Sequence, residues 1–146
     1  MNLFTAMEVS ASGLSAERVR MNALASNLAN ARTTRTAGGG GVYRRIDPVF
    51  QAIPIEERVN EVQRGSTRGG VYLVEVPFIR QDQSEPQLIY DPDHPDADAR
   101  GYVQLPNVNV VEEMVNLITA SRSYEAGVTV MQTLKSMAQS ALSIGA

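Results

Sequence analysis

The fold is decided by the segment that begins Pro106-Asn107-Val108-Asn109-Val110 and runs to the end of this 146-residue chain. From Val110 onward there is no proline, and apolar residues recur at alternating steps of three and four. This spacing predicts a long helix that packs lengthwise against another helix. Asn107 or Asn109 can cap its first turn, where the helix dipole also favours the acidic pair that follows. The seam residues are Val110, Met114, Leu117, Ser121, Tyr124, Val128, Met131, Leu134, Met137, Ala141 and Ile144.

A second helix is predicted at the opposite end of the chain. Its seam follows the same alternation of three and four, broken only by Arg18, and consists of Phe4, Met7, Ala11, Leu14, Arg18, Met21, Ala25 and Leu28. Both seams contain small residues, which bury little apolar surface and barely offset the entropy of ordering a helix. We therefore expect Met1 to about Ala31 and about Val110 to Ala146 to be mostly disordered in the dilute monomer and helical in an assembly.

The middle of the chain is predicted to be rich in strands. All seven prolines lie between Pro48 and Pro106, which separates a proline-punctuated middle from two helical ends. Short runs of β-branched and aromatic residues predict extended pieces at 42–46, 49–53, 71–76, 87–90 and 101–105. We expect Asp47-Pro48 to divide the first two pieces and Pro77 to end the third.

These patterns predict an α+β fold. Long N- and C-terminal helices pair as a coiled coil, and a small β-rich domain lies between them in sequence. The predicted segments are an N-terminal helix at 1–31, a linker rich in Arg, Thr and Gly at 32–41, the middle domain at 42–105 and the C-terminal helix at 106–146.

Composition excludes several classes of function. The net charge of −3 is mild and gives no indication of a nucleic-acid partner. There is no cysteine, so disulfides and cysteine-ligated metals are excluded. No apolar run is long enough to span a membrane, and the N-terminus lacks the pattern of a cleavable signal peptide. If the protein leaves the cytoplasm, we expect another route.

One loop contains residues that could bind a metal ion or take part in catalysis. Tyr90-Asp91-Pro92-Asp93-His94-Pro95-Asp96-Ala97-Asp98 holds the only histidine and four aspartates, which could supply oxygen ligands for calcium. Its spacing lacks the glycine and the terminal glutamate of an EF-hand loop, and two prolines stiffen it. We therefore favour turns capped by aspartate side chains over a metal site. A catalytic role for His94 is weaker still, since the chain has no partner histidine, no cysteine and no Gly-x-Ser-x-Gly motif.

Several motifs resemble those of a known family. The segments Asn2-Leu3-Phe4, Ser10-Ala11-Ser12-Gly13-Leu14 and Ala25-Ser26-Asn27-Leu28-Ala29-Asn30-Ala31 are similar to the N-terminal signature of bacterial flagellar rod and hook proteins. The loop from Tyr90 to Asp98, the segment Pro106-Asn107-Val108-Asn109 and the stretch from Glu112 to Ala126 resemble, within that family, the proximal rod proteins. Two positions depart from the pattern: Arg32 and Gly127 stand where the family tends to have asparagine. Glycine at 127 predicts a weak point in the helix.

The resemblance implies an axial subunit of the flagellar basal body, with no reaction, cofactor, small-molecule substrate or nucleic acid. The implied partners are further copies, other rod proteins, the rod-to-ring adaptor, the membrane ring and the flagellar type III export apparatus. The implied location is the rod in the periplasmic space, reached without signal cleavage. The implied assembly interface comprises Phe4, Met7, Leu14, Met21, Leu28, Asn30, Val110, Met114, Leu117, Tyr124, Val128, Met131 and Leu134.

Two other classes stay open at this point. An adaptor that dimerises through a coiled coil predicts a closed oligomer instead of an open helical lattice. A small hydrolase that uses the Asp/His loop predicts a pocket lined by polar groups near His94.

Overall fold

The structure is a computed structural model, and it describes residues 3–37, 41–55 and 70–144. Helix α1 (Leu3–Ala29) and helix α2 (Val110–Ile144) flank four strands: β1 (Ile46–Pro54), β2 (Tyr72–Gln81), β3 (Gln87–Tyr90) and β4 (Tyr102–Leu105). The α+β class is therefore confirmed. The predicted terminal residues 1–2 and 145–146, the linker residues 38–40 and the middle-domain residues 56–69 lie outside the described residues, as does the side chain of Ile144.

Asparagine side chains form hydrogen bonds with the backbone at the start of α2 and at the end of α1. Asn109 Oδ1 accepts the N–H groups of Val111 at 3.1 Å and Glu112 at 3.3 Å, so Asn109 is the N-cap of α2. At the end of α1, Asn30 Nδ2 donates to the Ser26 carbonyl at 2.9 Å. No described helix is long and apolar enough to cross a membrane.

The strands form two separate two-stranded sheets, β1–β2 and β3–β4. The expected break at Asp47-Pro48 was wrong, because β1 runs through it, and so was the expected end of the third strand at Pro77, because β2 continues to Gln81. In a two-stranded sheet each strand has a free edge, so a proline can point its missing N–H away from the partner. The β3–β4 hairpin is antiparallel and pairs Leu88 with Gln104 and Tyr90 with Tyr102.

The chain divides into two compact units, each with parts of both helices. The first unit comprises 1–19, 49–78 and 120–146, and its buried apolar side chains are Ala16, Leu73 and Ala120. The second unit comprises 20–48 and 79–119, and buries Ala23, Leu24, Val103, Pro106 and Val108. The predicted division into four sequential segments remains a prediction.

Candidate functional site

The second unit is organised around the side chain of Asn27, which is fully buried. Asn27 Nδ2 donates to the Ile46 carbonyl and to Glu113 Oε2, each at 2.9 Å. Its Oδ1 accepts the Ile46 N–H and the Tyr43 hydroxyl, again at 2.9 Å. All four hydrogen bonds that an amide side chain can form are therefore made. Because the amide pairs with both backbone groups of Ile46, it attaches α1 to the start of β1.

A buried ion pair continues this network. Glu113 lies in the first turns of α2, is 1% exposed, and accepts a hydrogen bond from Arg45 Nε at 2.6 Å. Arg45 also contacts Asp47 through Nη1 at 2.7 Å. Partial burial is the largest single influence on the pKa of Arg45 and lowers it, but the bonds to Glu113 and Asp47 together outweigh burial and raise that pKa. The guanidinium therefore stays charged opposite Glu113.

We call the set Asn27, Tyr43, Arg45, Ile46 and Glu113 the polar junction. It joins the last turns of α1, the start of β1 and the first turns of α2 within one unit. Every carboxylate and amide in it has a partner, which is what burial of such groups requires. The junction therefore connects the inner ends of both terminal helices within a single chain, and the expected disorder of the two ends in the dilute monomer stays a prediction.

The predicted seam of α1 is not its most buried face. Phe4 is 80% exposed, whereas Met7, Leu14, Met21, Leu28 and Asn30 are half-buried. The fully buried positions are instead Ala16, Ala23, Leu24 and Asn27. The spacing of apolar residues correctly predicted an amphipathic helix. However, α1 has apolar residues on more than one face, so its sequence does not show which face packs against its own chain. The role of these residues in assembly stays a prediction.

In α2 the predicted seam agrees with the burial over its middle part. Leu117, Tyr124, Val128, Met131 and Leu134 are all half-buried. The seam differs at its start, where Val110 and Met114 are exposed and Glu113 is buried in their place. The ion pair with Arg45 explains this difference, because it stabilises the side chain of Glu113 in the interior.

Gly127 has a packing role that the sequence did not indicate. A Cβ at this position would lie 2.9 Å from Leu14 Cδ2 and 3.4 Å from its Cγ. The missing side chain therefore lets Leu14 of α1 approach the backbone of α2 closely. The expected weak point in the helix is also a contact between the helices within the first unit.

Comparison with known proteins supports the resemblance. Residues 7–35 match the family model described as "Flagella basal body rod protein", and residues 99–144 match "Flagellar basal body rod FlgEFG protein C-terminal". The flagellar basal-body rod protein FlgC of Bacillus subtilis (strain 168) is 44% identical over 150 residues, covering 99% of both chains. FlgC of Borreliella burgdorferi is 43% identical over 159 residues, covering 99% of this chain and 98% of the relative. FlgC of Salmonella typhimurium is 41% identical over 145 residues, covering 99% of both.

The chain belongs to the FlgC family of flagellar basal-body rod proteins. This likeness covers nearly the whole chain, including the middle, where neither family model matches.

In this FlgC-family chain the Asp/His loop is built from turns. Asp98 Oδ1 accepts the N–H groups of Arg100 at 2.8 Å and Tyr102 at 2.9 Å. The hydrogen bond from Tyr102 is the main cause of a lowered pKa at Asp98, followed by that from Arg100. His94 Nδ1 accepts the Asp96 N–H at 3.0 Å, which requires that nitrogen to be unprotonated.

The same loop contacts the segment that follows α1. Asp96 accepts hydrogen bonds from the Thr34 hydroxyl at 2.7 Å and from the Arg35 guanidinium. Within residues 3–37, 41–55 and 70–144, no group of three or more His, Cys, Asp or Glu side chains is placed to hold a metal ion. The contacts of the loop are those of a structural turn.

Sequence reasoning missed the polar junction. In the sequence, Asn27 stands out only as part of a motif, Arg45 only as part of the extended piece at 42–46, and Glu113 only as one of two acidic residues that the helix dipole favours. One signal was available: an asparagine and a glutamate at helix positions that flank apolar residues predict burial with partners. Which partners they meet depends on contacts between residues far apart in sequence, which spacing along one helix does not reveal.

Proposed function

We propose that this chain is a structural subunit of the bacterial flagellar basal-body rod that assembles through its terminal helices into a hollow axial shaft. The observation that carries the proposal is the identity of more than 40% with FlgC proteins over nearly the full length of both chains. In this role the protein transmits torque and leaves a channel for exported subunits.

The shape and surface of the terminal helices support this role. Helix α1 has 27 residues and α2 has 35, which at a rise of about 1.5 Å per residue makes them roughly 40 and 52 Å long. Large apolar side chains stay exposed on both, among them Phe4 on α1 and Val111, Val115 and Ile118 on α2. Exposed apolar patches of this kind are typical of surfaces that other chains cover.

The polar junction supports a mechanical role for the subunit. A buried ion pair and a fully bonded amide specify one geometry, because any rotation of α1 or α2 about the junction leaves a buried polar group without a partner. We infer that the junction holds α1 and α2 in a fixed position on the start of β1 when force passes through the subunit.

The finer assignments are part of the same proposal. We infer that the partners are further copies, other rod proteins, the rod-to-ring adaptor and the membrane ring. We also infer that the chain lies in the periplasmic part of the rod and reaches it through the flagellar type III export apparatus, without signal cleavage. The names of the relatives support the basal-body rod.

Electron microscopy of isolated basal bodies tests the proposal. Cells that lack the protein should have rings without a complete rod and should not swim, and expression of the wild-type chain should restore both. A small epitope inserted at Arg100, an exposed residue of the hairpin loop, should be detected on the rod. Complete rods in cells without the protein would contradict the proposal, and a closed soluble dimer would favour the adaptor class.

A further inference from the structure

The described residues of the first unit form an open groove. It has a volume of about 640 Å³ and lies between one side of α1 and strand β2. Glu8, Ala11, Ser15 and Val19 line it from the helix, and Leu73 and Glu75 from the strand. The helix side consists mainly of small residues, so another helix can approach closely. The groove follows α1 from Glu8 to Val19, a distance of about 16 Å at a rise of 1.5 Å per residue.

The first turns of α2 carry an apolar ridge that stays exposed among residues 3–37, 41–55 and 70–144. Val111, Val115 and Ile118 lie at i, i+4 and i+7, so they share one face of the helix. They are 70%, 58% and 56% exposed. Arg122, one further turn along the same helix, is also exposed. The ridge from Val111 to Arg122 spans twelve residues, as does the groove from Glu8 to Val19, so the two have similar lengths.

Charge matches as well as length. The groove carries the exposed acidic side chain of Glu75, and the ridge ends in the basic side chain of Arg122. An apolar ridge with one cation at its end therefore fits a groove of small and apolar residues that presents the carboxylate of Glu75.

We propose that the groove between α1 and β2 binds the Val111–Arg122 ridge of a second copy of this chain. The inference rests on the proposed function and adds to it the surfaces that meet. The groove and the ridge are different parts of the molecule, so each copy offers one surface to the copy before it and the other to the copy after it. Such heterologous contacts build open helical assemblies, whereas a coiled-coil adaptor needs one self-complementary surface.

Disulfide trapping tests the contact directly, because the chain has no cysteine of its own. Ser15→Cys places a thiol in the groove, and Val115→Cys places one on the ridge. Cells that express both single variants should yield basal bodies in which mild oxidation joins the two chains into a covalent dimer. Either variant alone should give none, since like surfaces do not meet. Gln132→Cys, at an exposed position away from the ridge, replaces Val115→Cys as the control and should give none with Ser15→Cys.

A charge exchange gives a second, independent readout. Glu75→Arg and Arg122→Glu should each lower the amount of the chain in isolated basal bodies by about tenfold or more, and the two together should restore it. Both residues are exposed, so the single variants should fold, which circular dichroism checks.

The results separate the two proposals. No covalent dimer from the mixed variants, with both present in basal bodies, would overturn the groove contact and leave the rod function standing. Failure of the double charge exchange to restore incorporation would overturn it as well. Absence of the wild-type chain from basal bodies would instead refute the proposed function.

Discussion

Replacement of Asn27 by aspartate is the sharpest perturbation of the polar junction. The change is nearly isosteric, but it removes the Nδ2 group that donates to Ile46 and Glu113 at 2.9 Å. An ionised aspartate can only accept hydrogen bonds, so both donors are lost and a second carboxylate is placed against Glu113. Asn27 is fully buried, and water cannot replace the missing partners.

The size of the effect follows from these contacts. Each lost hydrogen bond accounts for about 0.5–1.5 kcal/mol, and each buried acceptor left without a donor adds roughly 1–3 kcal/mol. Arg45 still offsets part of the charge on Glu113 through the bond at 2.6 Å. We therefore expect Asn27→Asp to lower the free energy of unfolding by about 3–5 kcal/mol at pH 8, a large part of the roughly 5–15 kcal/mol typical of a domain.

The loss should depend on pH with a definite sign. Burial and the neighbouring Glu113 raise the pKa of the new aspartate in the folded state above its unfolded value of about 3.9. The folded variant then binds more protons than the unfolded chain, so its stability rises as the pH falls through the folded pKa. Urea unfolding at pH 5.5 and pH 8, followed by circular dichroism, should show a smaller deficit at the lower pH.

The matched control is Asn22→Asp, an exposed asparagine on the same helix, which should change stability by less than about 0.5 kcal/mol. If Asn27→Asp differs from the wild type by no more than this control at pH 8, the junction does not hold the inner ends of the helices together.

Four further predictions follow from the other contacts. Arg45→Met should lower the free energy of unfolding in urea by about 3–5 kcal/mol, because it leaves the charge of Glu113 buried and uncompensated. Adding Glu113→Gln should recover much of this loss, and additive effects of the two substitutions would contradict the ion pair. Gly127→Val should cost about 1–3 kcal/mol through the clash with Leu14, and less in a Leu14→Ala background; an equal cost in both backgrounds would contradict the close contact. Because the pKa of Asp98 is lowered in the folded state, its carboxylate stabilises the turn above an unfolded pKa of about 3.9, and this stabilisation is lost as the pH falls through the folded pKa. Asp98→Asn keeps the hydrogen-bond acceptor, so it should weaken the pH dependence of amide exchange at Arg100 and Tyr102 below about pH 4. A chelator should leave the melting temperature of the wild type and of His94→Gln unchanged, whereas a chelator-sensitive shift lost in His94→Gln would restore the metal-site alternative.

Local patterns predicted the elements of this fold well. The helices at both ends, the strand at 87–90 and the cap at Asn109 depend on residues close in sequence, and the structure has each of them. The two prolines were misjudged because their effect depends on where a strand lies in a sheet. Pro48 and Pro77 are tolerated because, among the described residues, their sheet consists of β1 and β2, each with a free edge.

The buried face of each helix was predictable only in part. Leu117, Tyr124 and Leu134 lie on a half-buried stripe, as the spacing of apolar residues predicts. Val110 and Met114 do not, since the ion pair between Glu113 and Arg45 places a charge where periodicity favours an apolar residue. A spacing rule treats charge as a mark of the solvent face, and it fails where a charge finds a buried partner from a distant part of the chain.

The disorder of the terminal helices in the dilute monomer stays a prediction, and the contacts indicate where amide exchange should be slowest along each helix. Residues near Asn27 and Glu113 belong to the polar junction, whereas Phe4 and Met137 are 80% and 58% exposed. Amide exchange on the dilute protein should therefore show protection near the junction and fast exchange in the outer turns.

The central claim is that this FlgC-family chain is an axial subunit whose terminal helices make the contacts between copies and neighbouring rod proteins. Cryo-electron microscopy of isolated basal bodies, at a resolution that shows side chains, tests this claim most directly. We predict that α1 and α2 line the channel and pack against helices of adjacent subunits, with Val111, Val115 and Ile118 covered. A rod in which these helices face solvent, or density for the chain only outside the rod, would contradict it.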